Sequence, residues 1–294
     1  MLIGLKLDVG FAKDDTHRRL FGQRDILPFL RDLGLEAVET AVGPETETDA
    51  LMEHIARCID AGLNVSLHPY SEGTIFNPAR FSHDGDNACR GLHQHFLSVA
   101  AEAARRQQAP TIVNIHAAAG AATQARDYLV DQSISFFSWA GQWCRHNAPE
   151  VAVAVELQIS PNRDEPRQRI GDTYEELLEV ASESDVAACW DFGHAYWNAY
   201  RYGWPLYPPE ALLPRIGHVH CHDVRDSDHQ PLLYNAVPWR DFIRLLIGRG
   251  YDGRIILEVP PSEFLDAGGI QALTTSLQSL RAWVRQCRSD AQQA

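Results

Sequence analysis

Several apolar runs in this sequence end in a carboxylate or an imidazole. His68 closes Asn64–Pro69 and His116 lies in Thr111–Ala117. Glu156 lies in Val151–Gln158, Asp191 and His194 at the end of Val186–Phe192, His218, His220 and His222 in Ile216–Asp223, and Glu258 in Arg254–Val259. An ionised group inside such a run is costly to bury unless it is paired or binds a metal. Glu156 lies between Val155 and Leu157, and Glu258 between Leu257 and Val259, so packing alone is a poor reason for either. Arginine pairing is the structural alternative. Glu, Asp and His without Cys suit a divalent cation such as Mn²⁺, Mg²⁺, Co²⁺ or Zn²⁺. Glu156, Asp191, His220 and Glu258 would make one four-ligand site with positions left for a substrate. His68, His116 and His229 could build a second, with His194 either a further ligand of it or a substrate contact. The other histidines, His17, His54, His83, His93, His95 and His146, fall in helices or loops and read as solvent-facing.

These groups are far apart in sequence, so a fold must gather them. Eight short β-like runs, the six above with Leu2–Val9 and Glu36–Val42, alternate with amphipathic segments. The segment Asp25–Gly34 has helical spacing and stops at a glycine; Thr48–Ala61 repeats this with Gly62 just beyond. Asn87–Gln108, Ala122–His146, Thr173–Glu183, Trp239–Arg249 and Gly269–Cys287 continue the alternation, with a shorter helix at Pro209–Leu213. Strands joined by helical crossovers run parallel, and eight such units favour closure. No G-x-G-x-x-G marks a doubly wound dinucleotide fold. The expectation is an α/β protein, a single (β/α)8 TIM barrel over residues 1–294, with its catalytic groups at the C-terminal strand ends. Within Cys189–His194, side-chain alternation puts Asp191 on the side of Cys189, and Gly193 is read as a sharp exit that turns His194 back towards it.

Composition narrows the function. The chain of 294 residues has a formal charge of −13 and its six cysteines are spread singly. Phosphate binding rests on Lys and Arg, so nucleic acid is a poor partner for so acidic a chain. Isolated cysteines read as reduced thiols of a cytoplasmic protein. No apolar run reaches the roughly 18 residues of a membrane span, and Lys6 and Asp8 interrupt any signal-peptide core. The oligomeric state, a homo-oligomer included, stays open.

The segments Trp190–His194, His218–Asp223, Val155–Leu157 and Ile256–Val259 together resemble the xylose-isomerase-like barrel superfamily. That group holds sugar isomerases and epimerases, some dehydratases, and the endonuclease IV type of apurinic-site (AP) nuclease. The resemblance covers nearly the whole chain. It implies that Glu156, Asp191, His220 and Glu258 match the ligands of one metal, and that His194 matches a substrate-contacting histidine. It further implies that His68 and His116 match ligands of additional zinc ions, with Glu156 bridging. Asp228–Leu232 resembles the stretch that carries an Asp-x-His pair in the nuclease branch. Here Ser227 takes the aspartate's place before His229, and Leu232–Asn235 replaces a glycine-rich turn, which favours one or two metals over three.

The expected activity is divalent-metal-dependent isomerisation or epimerisation of a small carbohydrate-like keto compound through an enediolate. Glu156 and Glu258 would exchange protons while His194, Arg225 and Trp204 bind substrate. A dehydratase of a keto acid or keto-inositol uses the same apparatus. An endonuclease IV-like phosphodiesterase is the alternative from another class. Within Arg201–Pro209 and its neighbour Tyr200, the aromatics Tyr200, Tyr202, Trp204 and Tyr207 read as a wall over a sugar ring, or as ordinary packing at the barrel top. Loops Ser71–Asp86 and Asn162–Asp172 are expected to set specificity.

Overall fold

A computed structural model describes residues 1–11, 14–70 and 73–293. Its strands are β1 Leu2–Lys6, β2 Ala37–Val42, β3 Asn64–Pro69, β4 Thr111–Ile115, β5 Ala119–Ala121, β6 Val151–Glu156, β7 Arg167–Arg169, β8 Ala187–Asp191, β9 Ile216–Cys221 and β10 Arg254–Leu257. Eight of them close a barrel in the order β1-β10-β9-β8-β6-β4-β3-β2, every pairing parallel. These are the eight runs expected from the sequence, and the chain is a (β/α)8 barrel. Seven of the eight are shorter than the apolar runs suggest. Glu258, His116 and His222 therefore stand just past the last paired residue, where the chain turns towards the mouth.

The helices are α1 Asp15–Phe21, α2 Ile26–Asp32, α3 Thr48–Asp60, α4 Ala88–Gln107, α5 Arg126–Asn147, α6 Tyr174–Glu183, α7 Phe192–Tyr202, α8 Trp239–Gly248, α9 Pro261–Asp266 and α10 Ile270–Gln293. The longer ones each bury one stripe. In α8 the buried residues are Trp239, Phe242, Ile243 and Leu246, an i, i+3, i+4, i+7 set. Burying each side chain of that kind contributes about 1.5–3 kcal/mol before ordering entropy is subtracted. Among the described residues, no helix is long and apolar enough to cross a membrane.

Four departures from the sequence reading matter. First, α1, α7 and α9 were not expected, and the short helix at Pro209–Leu213 is instead a 3₁₀ turn at Leu213–Arg215. Second, β5 and β7 form a small antiparallel pair that fixes part of the loop Asn162–Asp172 beside the mouth. In the other loop, Ser71–Asp86, residues Ser71 and Glu72 lie outside the described residues.

Third, Gly193 is not a sharp exit. It lies in the first turn of α7, and a Cβ there would meet the His222 ring at 1.9 Å. Aromatic residues and an early glycine are weak helix formers, which hid this helix. Fourth, three histidines expected in solvent are buried: His17, His54 and His93 are 3%, 4% and 1% exposed. His54 and His93 lie on the barrel-facing stripes of α3 and α4. Asp14, the N-cap of α1, accepts from the His17 N–H and faces the His17 ring Nδ1 at 2.8 Å.

Candidate metal centre

Glu156, Asp191, His220 and Glu258 converge at the C-terminal mouth, each supplying one ligand atom within 4.8 Å of the others. Strand register explains the meeting. Asp191 on β8 stands level with His220 on β9, and Glu258 follows β10 directly, its N–H donating to the Cys221 carbonyl. All four are buried. From His220 Nδ1 the separations are 2.7 Å to Glu258 Oε2, 3.6 Å to Glu156 Oε2 and 3.7 Å to Asp191 Oδ2. Ligands bonded at about 2.0–2.2 Å to one divalent ion stand roughly 3.0–3.4 Å apart, within the spread seen here.

Unsatisfied atoms mark the same place. Glu156 Oε1, Asp191 Oδ2, Glu258 Oε2 and His220 Nδ1 are buried without a hydrogen-bond partner. A buried ion without a hydrogen bond is costly unless an opposite charge stands beside it. The other oxygen of each glutamate faces a neighbour: Asn114 Nδ2 donates to Glu156 Oε2 at 2.5 Å, and Lys6 Nζ approaches Glu258 Oε1 at 3.4 Å. Three carboxylates and one imidazole, oxygen-rich and without a thiolate, fit a divalent cation.

Electrostatics agree. Burial pushes the Glu156 carboxyl up, but His116 and His220 override it and hold it well below the usual carboxylate range. Glu258 is likewise held well below, where burial is outweighed by His220 and Lys6. Burial would neutralise His220, yet Cys189, Glu258, Glu39 and Glu156 hold its pKa well above the ordinary imidazole value. A cation arriving at Nδ1 must displace a proton there.

Two further donor groups flank the centre. One is His68, His116 and Glu156. His68 Nδ1 donates to the Asn114 carbonyl, which leaves Nε2 unpartnered and 3.6 Å from Glu156 Oε2. The second comprises Asp191, His194, His222 and His229. His229 thus does not join His68 and His116, as its place in sequence suggested. It stacks on His222, ring centroids 4.3 Å apart, 3.5 Å from Glu258 Oε2. Asp228 and Glu258, acting against burial, raise the His229 imidazole to about 10. His194 Nδ1 donates to the Leu157 carbonyl, so its free Nε2 can meet a second ion or a substrate hydroxyl.

Asp191 ties the groups together. It is the N-cap of α7, accepting from the His194 N–H at 2.7 Å, and His222 Nε2 lies 3.1 Å from the same oxygen. His222, just past the end of β9, is fully buried against this carboxylate.

A cavity of about 200 Å³ opens over these groups, bordered by Glu156, Glu258, His194 and His229 with Tyr70 and Arg169. Arg225 and Trp204 are not among its lining residues. The Arg225 side chain is 60% exposed, beside Asp226 and Tyr234. Trp204 packs on Tyr202 and borders a separate crevice with Tyr174 and Asn198. The aromatic segment is surface packing: Tyr200 is 76% exposed, and Tyr207 meets Phe242 edge-on.

Sequence reasoning passed over Lys6, Glu39, Asn114 and Asp223. Glu39, between Val38 and Thr40 in a buried strand, carried the same signal as Glu156. Asp223 accepts five backbone N–H groups, from Val224, Tyr234, Asn235, Ala236 and Val237. It thereby shapes the loop that carries His229.

The profile described as xylose isomerase-like TIM barrel matches residues 27–287. No curated protein matches the chain by sequence. Among solved structures, a D-tagatose 3-epimerase-like protein superposes with a TM-score of 0.66 at 17% identity, covering 99% of this chain and 100% of that one. D-Psicose 3-epimerase from Clostridium cellulolyticum H10 gives 0.65 at 13% identity, over 98% and 99% of the two chains. The probable 3-DHS dehydratase from Bacillus anthracis gives 0.61 at 15% identity, over 96% and 99%. At such identities the likeness speaks for the fold.

Proposed function

This chain belongs to the xylose isomerase-like TIM barrel family, and from that premise we propose that it is a divalent-metal-dependent isomerase or epimerase of a small polyhydroxylated keto compound. Glu156, Asp191, His220 and Glu258 would hold the cation. When bound, it would polarise adjacent carbonyl and hydroxyl oxygens of the substrate and make the C–H between them acidic. The rest of the chemistry falls to the chain. One of Glu156 and Glu258 takes that proton as general base, giving an enediolate; the other, first protonated from solvent, returns a proton from the opposite side, after which the base gives its proton up to solvent.

The observation that carries this reading is the matched state of the two glutamates. Each is buried with one oxygen facing a neighbour, Asn114 or Lys6, and the other oxygen without a hydrogen bond, Glu258 Oε2 standing 2.7 Å from His220 Nδ1. Depressed pKa values keep both ionised at neutral pH, the form a base requires. His194 Nε2 and His116 would hold substrate hydroxyls, and a cavity of about 200 Å³ suits a sugar rather than a polymer. The structural neighbours named for epimerases support the same reading. Elimination of a β-hydroxyl from the same enediolate makes a dehydratase the near variant, and one neighbour is named as such.

The test is incubation with ketoses, keto-inositols and keto acids in D₂O. Solvent deuterium should enter the substrate in the metal-loaded protein, and not in Glu258→Gln. A protein that binds no divalent metal, or exchanges no proton with any of these substrates, would end the proposal. The flanking histidine groups favour one other reading, hydrolysis of a phosphodiester by a multinuclear centre. Cleavage of abasic DNA without deuterium exchange would select it.

A further inference from the structure

Glu39 has no part in the reaction above, yet it sits at the bottom of the same cluster. It lies on β2, paired with Ser66 of β3, and reaches across the barrel interior to β9. Its carboxylate is fully buried and close to three groups. His220 Nε2 lies 2.6 Å from Oε1, His218 Nε2 lies 2.7 Å from Oε2, and the Ser66 hydroxyl donates to Oε2 at 3.1 Å. We infer that Glu39 is a positioning residue: it holds the His220 ring with a proton on Nε2, so that Nδ1 is the nitrogen presented to the cation. This inference rests on the metal-dependent reading of the site.

An ionised carboxylate only accepts hydrogen bonds, so a ring nitrogen 2.6 Å from it must donate. One ring stands on each oxygen of Glu39, and a protonated carboxyl could accept from only one of them, so the arrangement fits a carboxylate that accepts from both rings and from the Ser66 hydroxyl. Asn114 Nδ2 also approaches His220 Nε2, at 3.5 Å, too far to make that nitrogen an acceptor against Glu39. On the opposite side of the ring, Nδ1 faces Glu258, Glu156 and Asp191. A ring turned over would give its Nδ1–H to Glu39 and aim Nε2 into the cluster at a different reach. The hydrogen bond to Glu39 selects one of these arrangements before any cation arrives. The imidazole also becomes the better donor to a metal, because a carboxylate on its far nitrogen raises its basicity.

The same strand neighbourhood supplies a control. His218 shares Glu39 with His220 but stands one layer deeper, its Nδ1 buried without a partner. Its loss disturbs the packing around Glu39 while leaving the bond to His220 in place.

The experiment combines ring spectroscopy of metal-free protein with zinc titration. In protein labelled with ¹⁵N-histidine, the ring N–H signal lost in His220→Asn should be a far-downfield Nε2–H. In Glu39→Gln, which keeps an acceptor but not the charge, that signal should move upfield. In Glu39→Met it should lose its shift altogether. Zinc affinity, read by competition with a chromophoric chelator, should fall roughly 10-fold for the Gln variant and about 100-fold for the Met variant. It should stay at the wild-type value for His218→Asn. Thermal melts of each variant separate weak binding from poor folding. A His220 Nε2–H without that downfield shift in the wild type overturns the inference, and this arm needs no Glu39 variant to fold. Equal zinc affinity across the Glu39 series, or an equal loss in His218→Asn, also overturns it. A wild type that binds no zinc or other divalent ion would sink the proposed function instead, and the ring signal would still decide the role of Glu39.

Discussion

Two sets of histidines are buried in this protein to nearly the same depth, and only one of them looks made for chemistry. His54 and His93 are 4% and 1% exposed, on helices packed against the outside of the barrel. His54 Nε2 meets the Thr40 hydroxyl at 2.9 Å, and His93 Nε2 donates to the Phe76 carbonyl at 2.8 Å. Both imidazoles are lowered to about 4 by burial, so they are neutral packing groups with a polar anchor. His220, His194 and His68 at the mouth are equally buried, but each holds one nitrogen on an anchor and leaves the other unpartnered beside carboxylates. Burial does not separate the two sets. Unmet hydrogen-bonding capacity does, because a buried polar atom without a partner is an expense that folding alone does not justify.

The largest test of this contrast is at the mouth. Glu156→Gln should lower deuterium exchange by about 10³-fold or more, the range for a lost general base, while circular dichroism stays native. His93→Gln should leave exchange unchanged. If Glu156→Gln retained exchange, the unpartnered atoms would not mark the reacting centre.

Asp223 sharpens the contrast from within the mouth, since it is a buried carboxylate there that is fully satisfied. Asp223→Ala strips the acceptor from five backbone N–H groups, and should cost about 3–5 kcal/mol in urea denaturation. Amide hydrogen exchange should quicken in residues 224–237. A loss under 1 kcal/mol would show that the loop is held by other means.

Stability against pH should carry opposite signs for the two packing histidines and for His229. For His54 and His93 the folded value of about 4 lies below the unfolded 6.5, so the unfolded chain binds more protons between them. Stability is therefore complete above pH 6.5 and lost as pH falls towards 4, by at most about 3 kcal/mol for each group. His229, raised to about 10, contributes in metal-free protein below pH 6.5 and loses that contribution as pH rises towards 10. Denaturation of metal-free His93→Gln should be flatter between pH 4 and 6.5, and that of His229→Gln flatter between 6.5 and 10. Unchanged profiles would refute the assignment. The smallest effect is expected of Arg225→Ala, whose side chain is 60% exposed: exchange rate and KM should both match the wild type.

Much of this was legible in the sequence. Eight apolar runs separated by amphipathic stretches specify the barrel, since strand and helix periodicities are local and a parallel ring buries every run. Strand ends in Val155–Leu157, Trp190–His194, His218–Asp223 and Ile256–Val259 exposed the central four groups, because a charge inside an apolar run is conspicuous wherever the run ends up. The same rule applied to Val38–Thr40 would have exposed Glu39. Other features depend on space. Thr40 and Phe76 satisfy His54 and His93 from other elements. His229 falls beside His222 and Asp191 because Asp223 winds its loop. Position 193, in the first turn of α7, has room only for glycine because the His222 ring takes the place of a Cβ. Which carboxylate an imidazole faces, and which of its nitrogens is left free, follows from the register between strands far apart in the chain. Local sequence can put a histidine at a strand end, but only the closed barrel decides what stands opposite it.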